Sequence, residues 1–202
     1  DPPVVTPPAA YAAHTHMKIV GLSGLLASVT DPDSGINGCT PTFTATNLTS
    51  VTGGTFSNLN GTAGTFDFEP AANFTGTATA TYTVQDTGCP GTATSVPATI
   101  SVNVSGPKIW FVDDSAVAGG DGTLSKPFQT LSAVDAVDAV NDRIFVFTGT
   151  YTTSFVLLSG EQLIGQGATG TTFDALFTIS PPTGTVARPA LSGTRPTIQN
   201  TV

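Results

Sequence analysis

Basic side chains are scarce in this sequence. Six Lys and Arg stand against fourteen Asp and Glu among 202 residues, giving a formal charge of −8 and an isoelectric point near 4.2. A surface of that sign repels phosphate backbones and anionic lipid, so nucleic acid and membrane surfaces are not expected partners. No apolar run approaches the ~18 residues of a bilayer-spanning helix, and no basic segment leads into an apolar one. Neither membrane insertion nor a signal peptide is therefore expected. The opening "DPPVVTPPAA" lacks Met, which implies a processed terminus or an excised piece of a longer chain. Cysteine is limited to Cys39 and Cys89, too far apart for the paired spacing of a zinc site. Two alternatives stay open for them: a disulfide made in an oxidising compartment, or two buried thiols. The disulfide would close a loop of about 50 residues and contribute roughly 4 kcal/mol through loop entropy.

Threonine, by contrast, fills 36 positions, beside 22 Gly and 15 Pro. With Val, Ile and Phe it gives the chain β propensity and many turn formers. A content of 39% hydrophobic and 10% charged residues is that of a folded protein. Few Lys, many Thr and two cysteines together point to a secreted or surface-exposed β protein.

Residues 1–105 read as short strands, "HMKIVGL", "TPTFTATNL", "GTFSNL", "GTFDFEP", "TATATYTVQD" and "SVPATISVNV", punctuated by Gly, Asn, Asp and Pro. In "TATATYTVQD" the residues Ala78, Ala80, Tyr82 and Val84 alternate with Thr, so one face packs and the other meets water. Turn signals roughly every 8–12 residues are those of an antiparallel sandwich. The ordered series "TDPDSG", "GTFDFEPAANFTGTATATYTVQD" and "PATISVNV" resembles the cadherin-like and bacterial Ig-like repeats of large surface proteins. That resemblance implies an Ig-like domain over 1–105 and calcium held by Asp31 and Asp33, with Asp86 from a neighbouring loop. The Glu residues and Asn-Asp linker that complete a cadherin site are missing, and an Asx-type turn is the alternative for "TDPDSG". Asn47, Asn60, Asn73 and Asn103 each head an Asn-x-Thr/Ser triplet, the acceptor of N-linked sugar where the host glycosylates surface proteins.

Past residue 105 the pattern changes. "KIWFVDD", "RIFVFTG", "SFVLLSG", "EQLIGQG", "LFTIS" and "RPTIQN" read as strands at irregular spacing without Asn-Gly hairpin dipeptides, which suits successive sides of a parallel coil. Between them "LSAVDAVDAV" predicts a helix. Leu131, Val134, Val137 and Val140 recur every three residues beside Ala133, Ala136 and Ala139, with Thr130 as N-cap and Asn141 and Asp142 as a stop. "IWFVDD", "GGDGTLSKPFQTLSAV", "DRIFVFTGTYT" and "LLSGEQLIGQG" together are similar to the opening of right-handed parallel β-helix domains in bacterial surface proteins. The similarity implies a capped β-solenoid over 106–202, with the Ala-rich helix as a lid on its first coil. The expected fold class is all-β: an Ig-like antiparallel β-sandwich followed by a short parallel β-helix (β-solenoid) segment with one capping α-helix.

Catalytic chemistry is thinly supplied. From residue 143 onward the bases are Arg143, Arg188 and Arg195 and the acids Glu161 and Asp174, with no acidic pair for lyase or glycosidase chemistry. Asp135 and Asp138 read as a solvated helix face, and Asp113, Asp114 and Asp121 of "DDSAVAGGDGT" as a second calcium candidate. His14 and His16, without a third ligand, read as surface histidines. Trp110 and Tyr82 read as core anchors. No catalytic residue and no cofactor beyond calcium is expected. The expected function is a non-enzymatic extracellular structural module at the cell surface. It would associate head to tail with copies of itself into a fibre or adhesin stalk, because "RPTIQNTV" stops on a strand that either a continuing chain or a neighbouring protomer covers. Glycans or neighbouring surface domains are the other expected partners. The alternatives are the N-terminal fragment of a carbohydrate-active β-helix enzyme, a polysaccharide lyase or glycosidase, and a glycan-binding surface protein.

Overall fold

The computed structural model describes residues 1–88, 91–153, 155–191 and 193–199. The chain divides into two compact units, one of Asp1–Ala13 with Ile19–Val104, the other of His14–Lys18 with Ser105–Val202. His14–Lys18 thus belongs to the second unit although the first flanks it on both sides in sequence.

The strands up to residue 105 are β1 Val4–Val5, β2 Tyr11–His14, β3 Ile19–Ser23, β4 Val29–Thr30, β5 Thr42–Thr52, β6 Gly54–Asn60, β7 Thr65–Pro70, β8 Gly76–Thr87 and β9 Ala98–Ser105. They form a four-stranded sheet in the order β2-β9-β8-β5 and a three-stranded sheet in the order β3-β7-β6, while β1 pairs with β4. The β5–β8, β8–β9, β3–β7 and β6–β7 pairs are antiparallel. Side-chain alternation explains the arrangement: β8 buries Ala78, Ala80, Tyr82 and Val84, β9 buries Ile100, Val102 and Val104, and β7 adds Phe66 and Phe68 to the same core. The Tyr82 hydroxyl donates to the Leu25 carbonyl at 3.2 Å, and burial pushes its pKa up to about 12.

The abundance of threonine has a structural use on the outer face. Thr42, Thr46, Thr49 and Thr52 of β5 sit opposite Thr87, Thr83, Thr81 and Thr79 of β8, with hydroxyl separations of 2.5 to 2.9 Å. Each such cross-strand pair contributes ~0.2–1 kcal/mol.

The second unit contains β10 Ile109–Val112, β11 Arg143–Val146, β12 Thr150–Thr152, β13 Gln162–Gly165 and β14 Thr197–Gln199. Here β10, β11 and β13 stack parallel and in register, and β12 pairs parallel with β14. All four residues of β10 are buried because both faces of the stack are covered. Trp110, Val112, Ile144 and Val146 pack with Leu131, Val134 and Tyr151; Ile109, Phe111 and Phe145 pack with Met17, Phe173 and Phe177.

Three expectations are corrected here. "LSAVDAVDAV" is not a continuous α-helix: a 3₁₀ turn at Leu131–Ala133 runs into irregular turns, and Thr130 makes no side-chain cap. Apolar residues spaced strictly by three keep one face on a 3₁₀ turn but rotate away around an α-helix, and β-branched Val and Asp lower helix propensity further. Leu131 and Val134 are buried, whereas Val137 and Val140 are 37% and 58% exposed, so no broad apolar lid forms. Likewise, residues 155–158 of "SFVLLSG" are not a strand. The donors a strand partner would bond go to carboxylates instead, Val156 N–H to Asp135 and Leu158 N–H to Glu161. Finally, "LFTIS" begins on the last residue of the α-helix α1, Phe173–Leu176, and is not a strand. Thr172 caps α1 through the Ala175 N–H at 3.2 Å, and Phe173 and Phe177, four apart, face the core together.

Candidate functional site

In the second unit the candidate contact surfaces are the two edges of the parallel stack. The β10 edge is closed. Phe111 donates to the Gly122 carbonyl at 3.0 Å, Phe128 donates to the Phe111 carbonyl at 2.9 Å, and Val112 bridges in parallel to Phe128. The cover is therefore the "GDGTLSKPF" segment, and the expected helical lid is replaced by a loop. Asp121 holds that loop, accepting from both the N–H and the hydroxyl of Thr123. Gly122 is placed at φ +78, where an added Cβ would stand 2.5 Å from the Phe128 ring and 2.6 Å from Trp110. We expect Gly122→Ala to destabilise the unit by about 2–3 kcal/mol, from left-handed backbone strain plus overpacking, read as a lowered melting temperature.

The opposite edge lacks a strand cover among the described residues: no strand there pairs with the outer side of β13. Just ahead of it Val156, Leu157 and Leu158 are exposed, and Val137 and Val140 lie exposed on the segment tied to them through Asp135 and through the Asn141 N–H to Ser159 carbonyl bond. Five aliphatic side chains facing water on neighbouring segments are the kind of patch that marks a contact surface.

The acidic residues act as turn caps. Asp113 accepts from Ser115 N–H and Oγ, and Asp114 accepts from Thr150 N–H. Asp142 Oδ2 receives both Trp110 Nε1–H at 2.8 Å and Ala139 N–H at 3.1 Å. Glu161 comes close to Asp138, a proximity that twenty-odd residues of separation hid in the sequence. Burial foremost, with the neighbouring charge of Asp138, raises the Glu161 carboxyl above its usual range. Its Oε2 nonetheless serves the Leu158 N–H. Asp174 is taken by Arg188 through two bonds of 2.9 and 2.8 Å, and Arg195 lies beside Gly167 in a cleft of about 430 Å³ along β13.

In the first unit Asp31, Asp33 and Asp86 do gather near the chain start. The Asp1 ammonium is paired with Asp33, and Asp31 and Asp86 add to the field that raises its pKa, an effect led by the Asp33 hydrogen bond. Asp31 Oδ1 accepts from Asp33 N–H at 2.8 Å, an Asx turn, and Asp86 Oδ1 accepts from Ala93 N–H. Asp31 Oδ2 and Asp86 Oδ2 are buried without a hydrogen-bond partner, which suits a cation. Among the described residues, however, no three His, Cys, Asp or Glu side chains form a group that could hold a metal ion. The three aspartates thus fit calcium only in part.

Cys39 Sγ lies 2.8 Å from the Gly88 carbonyl oxygen, and Cys89 lies outside the described residues. Asn47, Asn60, Asn73 and Asn103 are all exposed, Asn47 and Asn73 at left-handed φ of 57 and 65. His14 and His16 are not surface residues: they are 5% and 1% exposed. Each places Nδ1 against a backbone carbonyl, Thr15 at 2.8 Å and Ile109 at 2.9 Å, and the His16 ring packs on Trp110 with centroids 4.4 Å apart. An alternation rule cannot foresee this, because His16 has φ +61 and breaks the extended path.

Among known proteins, the profile of the cadherin-like domain matches residues 1–105, just over half of the chain. No curated protein matches. Solved structures with similarity include the extracellular domain of protocadherin GammaB4 (20% identity, 52% of this chain and 17% of that one, TM-score 0.31). Mouse cadherin-23 EC22-24 is another (18% identity, 59% and 41%, TM-score 0.31). A nucleoside hydrolase-related hypothetical protein from Saccharophagus degradans, associated with carbohydrate metabolism, is a third (17% identity, 52% and 26%, TM-score 0.31). This chain spans less than half the length of each. Among the described residues no helix is long and apolar enough to cross a membrane.

Proposed function

This chain belongs to the cadherin-like domain family, and on that premise we propose that it is a non-enzymatic extracellular structural module that makes adhesive contacts with copies of itself. In this proposal residues 1–105 are the Ig-like spacer and residues 106–202 the first coils of a β-solenoid. The stack, closed at β10 and with no described strand on the outer side of β13, is the observation that carries it. A parallel stack with one blocked edge grows in one direction only, and an outer side of β13 that no described strand pairs with, beside exposed aliphatic side chains, favours a strand-adding or patch-to-patch neighbour. Repeated, that contact builds a fibre or stalk. Glycans enter as sugars attached to the four exposed asparagines or as bound partners. In the same proposal calcium would act at the two buried carboxylate oxygens of Asp31 and Asp86 that lack a partner, without a three-carboxylate site, which the described residues do not form.

Light scattering on the purified chain over a hundredfold concentration range, in calcium and in chelator, tests it. The expected mass rises with concentration, and Leu157→Asp, a change at an exposed position, keeps the chain monomeric. A chain that stays monomeric at every concentration and in both buffers sinks the self-association reading.

A further inference from the structure

The five-residue excursion His14–Lys18 is a strap across the second unit, and its anchors include the only two imidazoles in the sequence. Thr15 N–H donates to the Ser105 carbonyl and its hydroxyl to the Pro107 carbonyl at 2.8 Å. Met17 is fully buried in the aromatic cluster of Phe111, Phe145, Phe173 and Phe177, and Lys18 accepts from the Val186 N–H. His16 bridges two parts of the closed edge. Its ring nitrogen meets the Ile109 carbonyl at the start of β10, while its own carbonyl accepts from Leu124 N–H in the loop that covers β10. The strap therefore pins the cover in place.

We propose that His14 and His16 make this strap an acid-released clasp, which holds the residue 122–128 cover on β10 while both imidazoles are neutral and lets it go when they are protonated. The geometry supplies the reason. His14 donates Nδ1–H to the Thr15 carbonyl, which leaves Nε2 as a bare lone pair, buried and without a partner, against Gly106. Gly106 has φ +100, and a Cβ there would stand 2.7 Å from Nε2. A proton on Nε2 creates a buried N–H with no acceptor, which is costly. The His16 ring is enclosed by Trp110 and the backbone, so its cation too would be desolvated.

The surrounding charges do not reverse this. Burial foremost lowers the His14 pKa below 6.5, Arg143 and Arg188 push the same way, and the Thr15 carbonyl and Asp174 oppose. Burial foremost likewise lowers His16, helped by Lys108 and opposed by the Ile109 carbonyl, Asp142 and Asp121. A histidine lowered in the folded state binds its proton more readily once released, so the clasp is intact above pH 6.5 and weakens as pH falls from there toward the folded values.

Hydrogen exchange of the whole chain, read by peptide and corrected for the intrinsic pH effect, tests this. Between pH 7.5 and 5.0 exchange of the Leu124 and Val186 amides should accelerate about tenfold for each unit by which folding lowers an imidazole. Amides of β11 should stay protected, and emission of Trp110, the single Trp, should change in step. Glu161→Gln, which removes the raised Glu161 carboxyl of this unit, should leave the effect in place, and His14→Gln and His16→Gln should each diminish it. Should either variant fail to fold, the wild-type imidazole titration by NMR decides alone. Unchanged strap exchange down to pH 5.0, or both imidazoles titrating at or above 6.5, overturns the proposal.

Discussion

Phe145→Ala costs the second unit about 3–5 kcal/mol, the range for a buried Phe cut to a methyl. Phe145 is fully buried at the centre of β11, and four rings converge on it: Phe147 and Phe173 at 5.1 Å, Phe111 and Phe177 at 6.2 Å. It also ties the parallel stack to α1 through Phe173 and to the strap through Met17. The loss combines transfer free energy with a cavity that rigid neighbours cannot fill. The measurement is urea unfolding followed by Trp110 emission, which reports on the same unit. The midpoint should fall sharply, and Phe145→Leu, which keeps most of the volume, should lose less than half as much. A midpoint unchanged within error would show that the aromatic cluster does not hold the unit together.

Cys39→Ser, if the chain carries the disulfide, costs the first unit roughly 4 kcal/mol, because about 50 residues of unfolded chain are released from one constraint. The Cys39 sulfur beside the Gly88 carbonyl places it near the residue that precedes Cys89. Two measurements separate the alternatives. Thiol titration in denaturant without reductant should find none, and reductant should lower the wild-type midpoint to that of the variant. Two titratable thiols and a small effect of Cys39→Ser would establish buried free cysteines instead.

The sandwich strands were legible because burial on a pleated sheet repeats every two residues. Ala78, Ala80, Tyr82 and Val84 announce their face within seven positions, and the long-range partners in β5 and β9 merely accept it. The aromatic anchors were legible for a similar local reason: a Trp or Tyr in an apolar run has few places to go but the core. Missed altogether were the buried histidines, α1 and the Asp138–Glu161 proximity. A signal for α1 was present in "TFDALF", where Thr precedes two Phe four apart, but one turn is too short to stand out against a Thr-rich background.

Read alone, then, the order of amino acids specifies an all-β chain, the alternating faces of its first half, the fully apolar strand β10 in the second and the cadherin-like pattern of residues 1–105. Those properties depend on neighbours two to four residues away. Tertiary structure alone decided who covers each edge: the "GDGTLSKPF" loop on β10 where a helix was expected, the strap drawn from residues 14–18, the carboxylates that take the N–H groups of residues 156 and 158, and the side of β13 that no strand among the described residues pairs with. Covering an edge means satisfying backbone donors and acceptors with groups far away in sequence. Periodicity carries no record of that, because any segment with a free carbonyl and a fitting side chain can do it.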